Sequence, residues 1–396
     1  MIKKSKIKHS WYSVSLLTAG HFFSDFYANF LPVLLPIVMP KLGLSLTMSG
    51  LLIMVLSFSS NVLQPYFGYL IDRKNFNWLL LITVPAGAIF ICYTGMVNSQ
   101  FLLFLTVALS GIAVSIFHPL GSSLVSKVAS PAKLGISISI FVAGGNLGFA
   151  LAPIIIVYFT EFYGLEALLL LAIPSLILSF CYYHSGLYRP NLKLATPNTT
   201  AKQLWQLCCQ PALLKLNLAM GLRAWTHVAM TTFLPALLVA NGYSTTFAGI
   251  MLTIFLIGAA LGGLLGGYLS DHFGLKKIIF GSLSLGILPT YIFLANSEIT
   301  WFTAVMLFLC GAGLQGSAPS SLVWAQRFLP HNAAMASGMM LGLSFGFGGI
   351  GAAITGALAD TISLVVALRW TILALVLAAF ISITIPEKST KQESIS

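Results

Sequence analysis

The chain has 396 residues, 58% of them hydrophobic and 7% charged, against roughly 45–50% apolar and about 25% charged in a soluble domain, so a water-soluble globule is excluded. At about 20 to 28 residues per crossing plus short connections, this length holds roughly twelve to fourteen spanning helices and no large extramembrane domain. The 20 Lys and Arg against 9 Asp and Glu leave a net charge of +11, which would suggest nucleic acid in a soluble protein but here follows membrane sidedness, so no nucleic-acid partner is expected.

Apolar runs broken by short polar clusters predict an all-α polytopic protein with twelve helices, starting near residues 11, 46, 78, 100, 132, 164, 211, 244, 275, 299, 331 and 364. The opening MIKKSKIKHSWYSVSLLTAG has a basic start and an apolar run, but no small-residue cleavage site follows, so an uncleaved first helix is expected. Residues 187–210 carry prolines, threonines and basic clusters and read as a linker between a six-helix half at 1–186 and another at 211–396. Alternating the loops puts 17 Lys and Arg on one side and only Lys41 and Arg369 on the other, with Arg223 inside a helix. Both termini and the linker are therefore expected in the cytoplasm, in a multi-pass protein of the inner membrane. The sequon at Asn198 falls in that linker and is discounted. Five cysteines show no C-x-x-C pair, so neither a metal nor a disulfide framework is expected.

The halves repeat each other. LGLSLTMSG at 42–50 aligns with NGYSTTFAG at 241–249 and GYLIDR at 68–73 with GYLSDH at 267–272, both at an offset of 199. Two parallel six-helix repeats are the arrangement of a rocking transporter with a central site. Within the helices, His21, Asp25 and Asn29 recur at steps of four and predict one polar stripe, with Asp25 roughly 21 Å from the helix start, near the bilayer centre. A charge there costs about 2.5–3.5 kcal/mol on insertion scales, so such groups usually face a cavity and work. Asp25 is expected to carry protons with His21 beside it; a structural hydrogen bond between turns is the plainer alternative. Arg223 and His227 repeat the device on the seventh helix, with Thr231 continuing the stripe. A guanidinium that keeps its proton either stabilises ionised Asp25 or attracts an anionic substrate group. His118, before Pro119, adds a titratable imidazole beside a helix-disturbing residue. Gln315 on the tenth helix is a neutral polar candidate for substrate contact, and Asn61, Gln64 and Pro65 are cavity or gate candidates.

The pattern resembles the major facilitator superfamily, on Gly68-Tyr69-Leu70-Ile71-Asp72-Arg73 and its second copy at Gly267–Lys277. Within it the chain resembles the fosmidomycin-resistance exporters, on GHFFSD at 20–25, FHP at 117–119, GGNLG at 144–148, and Arg223-Ala224-Trp225-Thr226-His227 followed by TTFLP at 231–235. The resemblance implies proton coupling through Asp25, His21, His118 and Arg223. It implies substrate contacts at Asn29, His118, Asn146, Arg223, Trp225, His227 and Gln315. Asp72, Arg73 and Asp271 are implied to form breakable gate contacts at the cytoplasmic helix ends. Leu120 stands where the family often has a glutamate after the His-Pro pair. The expected function is proton-coupled efflux of a small amphipathic or anionic compound, such as a fosmidomycin-like drug, by a monomer without cofactor. A proton-linked uptake symporter or an anion exchanger is the alternative. An enzyme is not expected, because no nucleophile and base, metal cluster or Gly-x-x-x-x-Gly-Lys loop has usable spacing.

Overall fold

The structure is a computed structural model and describes residues 11–130, 133–189, 210–296, 298–329 and 333–386. Among the described residues twelve long helical segments follow one another. The first half holds α1 (Trp11–Leu42), α2 (Leu46–Ile71), α3 (Asn77–Gly95), α4 (Gln100–Val128), α5 (Leu134–Tyr163) and α6 (Leu165–Ser185). The second holds α7 (Pro211–Ala240), α8 (Thr245–Phe273), α9 (Leu275–Ala295), α10 (Trp301–Phe328), α11 (Ala333–Thr361) and α12 (Leu364–Ile383). No strand occurs among the described residues. Eleven of these helices are long and apolar enough to cross a membrane, and α7 is the exception. It carries Lys215, Asn217, Arg223 and His227, and most of its residues are buried in protein. A helix shielded by neighbours on all sides can hold polar groups that lipid would reject.

Local chemistry shapes three helices that carry candidate residues. The helix of α1 breaks between Ala28 and Leu31, because Pro32 has no N–H to give the Ala28 carbonyl. The amides of Asn29 and Phe30 instead reach back three residues, to Phe26 and Tyr27, at 3.3 Å each. The stripe expected to run through Asn29 therefore ends at Asp25. In α2, residues Phe58–Val62 form a π-turn, a wider turn that recurs at functional sites. The helix α4 runs on through Pro119 to Val128.

Between helices in lipid the hydrophobic drive is weak, so close backbone approach through small residues takes its place. A Cβ at Gly148 of α5 would overlap the Phe22 carbonyl of α1, and one at Gly144 would lie 2.5 Å from Thr18 Cγ2. On the other half, Gly258, Gly262 and Gly266 of α8 meet the backbone of Phe308, Ala312 and Gly316 of α10. The halves join chiefly along two seams, α2 on α11 and α5 on α8, and the second part of α1 also meets α7. Gly50 sits on the carbonyl of Ala352, and Gly249 on that of Pro153 and on Val157. The first stretch of the expected linker belongs to the first half: Leu187 is buried, and Asn77 Nδ2 donates to the Arg189 carbonyl at 3.2 Å. Residues 190–209, which hold the sequon, lie outside the described residues. The first and last helices begin and end on one side of the bundle, called here the terminal side; the opposite side is the distal side.

Candidate functional site

Asp25 lies between two histidines from different helices. His21, one turn back on α1, places Nε2 3.3 Å from Oδ2, and His118 of α4 places Nε2 3.2 Å from Oδ1. The ligating atoms of all three converge within 4.8 Å, although His118 stands far from the other two in sequence. The His21 ring is fixed on two sides. Its Nδ1 is 2.8 Å from the Phe141 carbonyl, and the Phe141 ring stacks on it at 4.2 Å. His118 meets it edge-on at 5.0 Å. Gly145 closes the fourth side, where a Cβ would lie 2.5 Å from Asp25 Oδ2 and 2.6 Å from His21 Nε2. Asp25 and His118 keep 18% and 21% of their side-chain surface open, so the cluster is recessed but reachable.

This geometry has a protonic consequence. A carbonyl oxygen only accepts, so His21 Nδ1 carries a hydrogen. A neutral His21 then turns an Nε2 lone pair toward an Asp25 oxygen at 3.3 Å, an arrangement that repels unless a proton occupies the gap. A proton in that gap would join the imidazole and the carboxyl into one coupled pair.

The second half supplies a fixed cation. Arg223 of α7 is 2% exposed. Its Nη1 donates to the Leu314 carbonyl at 3.1 Å and to Gln315 Oε1 at 2.6 Å, and its Nε has no partner among the described residues. No carboxylate pairs with it among the described residues; the carboxylate of Asp25 is engaged by the two histidines. The expected stabilisation of Asp25 by Arg223 is thus absent from this conformation, and Gln315 serves as the arginine's partner. His227 is buried one turn further on, with no partner for Nδ1 among the described residues and its ring 5.4 Å from Phe255.

The remaining sequence candidates divide. Asn29 is 1% exposed and donates to the Phe149 carbonyl at 2.8 Å, tying α1 to α5. Trp225 donates to Thr355 Oγ1 at 2.9 Å and packs over Gly351, which places it in the α7–α11 contact. Asn146 is exposed, with no hydrogen bond among the described residues. Asp72 and Arg73 end the second helix, but their side chains lie outside the described residues. Asp271 is exposed and makes no ion pair among the described residues. Leu120 is fully buried apolar packing. Sequence reasoning missed Phe141 and Gly145 as parts of the cluster; only the GGNLG run hinted that α5 approaches α1 closely.

The Major Facilitator Superfamily model matches residues 17–241 and 216–394. The chain belongs to the Major Facilitator Superfamily. As a member it is a transporter of small molecules rather than an enzyme. The Fosmidomycin resistance protein of Escherichia coli (strain K12) is 28% identical over 372 residues, covering 91% of this chain and 89% of the relative. An uncharacterized MFS-type transporter, YfnC of Bacillus subtilis (strain 168), is 29% identical over 341 residues, covering 82% and 80%. The crystal structure of a bacterial homolog to the human lysosomal transporter Spinster superposes with a TM-score of 0.78 at 16% identity, over 94% of this chain and 95% of that one, a likeness of fold.

Proposed function

We propose that this superfamily transporter exports a small compound bearing an anionic group, as a fosmidomycin-like drug does, in exchange for protons. The observation that carries the reading is the pairing of chemistries across the halves: a carboxylate held between two imidazoles at His21, Asp25 and His118, and a buried arginine, Arg223, that pairs with no carboxylate among the described residues. An uncompensated buried guanidinium is costly on its own. An anionic substrate end supplies the missing counter-charge with charge-assisted hydrogen bonds. Gln315 and the unpartnered Nδ1 of His227 are adjacent polar groups for the same end.

Exchange follows if a hydrogen-bond donor at the other end of the substrate competes with the proton for Asp25 Oδ2. With the proton gone, the His21 lone pair and the carboxylate repel, so the gap must widen or a donor must enter it. Because His21 hangs from Phe141 and Gly145 abuts the pair, that widening moves α1 against α5. Substrate and proton then ride in opposite directions as the halves rock. One inward proton for one outward monoanion moves two charges along an inside-negative potential, each worth about 2.3 kcal/mol per 100 mV. The split of basic residues supports cytoplasmic termini, and the reading takes the transporter as a monomer of the inner membrane.

One feature favours a second reading, proton-linked uptake or anion exchange. Asp25 offers separate oxygens to the two histidines, so a proton on one leaves the other free, and added positive charge helps an anion bind. Proteoliposomes enclosing a pH-sensitive dye separate the two. Adding a phosphonate drug to one side moves protons to that side under exchange and with the drug under symport. The response disappears in Asp25→Asn in either proton-coupled case; drug flux without any proton movement would defeat both of these and leave anion exchange.

A further inference from the structure

We propose that Asp360 and Glu161 are repeat-related latches that hold the distal side of the transporter closed by hydrogen bonds to the helix starts of the opposite half. The inference rests on the rocking-transporter reading above. The first turns of α2 and α8 each leave N–H groups without helical partners. Within each helix a serine takes one of them: Ser45 Oγ accepts from Met48 N, and Ser244 Oγ accepts from Phe247 N, both at 3.1 Å. In α2 two of the remaining N–H groups and a hydroxyl turn to the other half, and in α8 the Thr246 hydroxyl does. Leu46 N donates to Asp360 Oδ1 at 3.0 Å, and Thr47 donates to Oδ2 through its N at 2.8 Å and its Oγ1 at 2.6 Å. Asp360 ends α11, across the seam. In the other seam, Thr246 Oγ1 of α8 donates to Glu161 Oε2 at the end of α5.

The two sets stand at repeat-related positions, with Asp360 accepting from two N–H groups and a hydroxyl and Glu161 from a hydroxyl. Thr47 and Thr246 stand 199 residues apart, as do Glu161 and Asp360, and 199 is also the offset of the repeat at 42–50 and 241–249. One turn deeper the correspondence continues, with Gly50 on Ala352 and Gly249 on Pro153, again 199 apart in both partners. A carboxylate at a helix N-terminus meets both free N–H groups and the positive end of the helix dipole. The serine caps stay within their own helices when the halves move. The carboxylates belong to the opposite half, so their bonds have to break whenever the distal side opens. All four side chains are exposed or half-buried, and contacts in water of this kind are weak enough to break and reform during a cycle.

The test replaces the five native cysteines and introduces Val157→Cys, a 2% exposed position against Gly249. A membrane-impermeant maleimide applied from the distal face then reports opening of the seam, with no substrate or proton gradient needed. Labelling is expected to be slow in this parent and roughly threefold or more faster in Asp360→Ala plus Glu161→Ala, since a closed state stabilised by weak contacts yields a larger open population when they go. Asp360→Ala alone should account for most of the rise, because it loses three bonds to one. Where an alanine variant fails to assemble, Asp360→Asn and Glu161→Gln give the same ordering. Unchanged labelling in a folded double variant, or an equal rise in the distal control Glu166→Ala, overturns the proposal. Either result leaves proton coupling at Asp25 to its own assay, which a failure of the latches does not touch.

Discussion

His21 is held through Nδ1 by a carbonyl, which leaves Nε2 facing the Asp25 carboxylate, and under the proposed exchange this close contact depends on one shared proton. The packing that enforces the contact is as important as the titratable groups. Gly145→Ala would put a methyl 2.5 Å from Asp25 Oδ2, and overpacking of this kind typically costs about 1–3 kcal/mol. The variant is expected to reach the membrane, melt lower than wild type in a thermal-shift assay, and lose most proton-coupled flux. Wild-type flux from it would mean that the cluster does not need this geometry. For Arg223→Gln the expected defect is selective: roughly tenfold weaker half-saturation for an anionic substrate, the size of one lost charge-assisted interaction, with proton binding at Asp25 retained. Flux titrations over substrate concentration distinguish this from a general loss of activity. Asp25, His21, His118 and Arg223 were legible in the sequence because ionisable groups stand out in apolar helices. The Phe141 carbonyl and Gly145 were not, since a backbone acceptor and a missing side chain leave no chemical mark. The pairing of Arg223 with Gln315 was equally hidden, because it depends on which helices meet.

Helices in this protein approach through glycine, and a single added side chain should be felt along a whole seam. Gly148→Leu, at the point where α5 crosses the Phe22 carbonyl, is expected to reduce the yield of monodisperse protein in detergent severalfold and to prevent the His21 contact with Phe141. Normal yield and melting would show that α1 and α5 can separate without loss. Apolar length made twelve helices readable, including the connection of α7, whose polar residues take it below the apolarity of the other spans. The break at Asn29 was concealed by the four-residue spacing of His21, Asp25 and Asn29, a periodicity that Pro32 interrupts in the backbone. Asn29 accordingly secures α1 to Phe149.

At the scale of the whole molecule, two halves share one frame but carry different chemistry. The frame repeats at an offset of 199 through the seams and their carboxylate contacts, and the proton cluster and the lone arginine do not. Exchange of a proton for an anion predicts electrogenic transport: clamping liposomes inside-negative with a potassium diffusion potential should accelerate export of a monoanion from that compartment, and reversing the sign should slow it. Indifference to the potential would require a neutral exchange. The most direct test of the shared proton is a count. Purified protein in weakly buffered detergent with a pH indicator should release about one proton per chain when a phosphonate substrate binds, as expected if substrate and proton compete for one titrating unit, and Asp25→Asn should release none. Substrate binding by wild type with no proton released, or release that survives Asp25→Asn, would contradict the account.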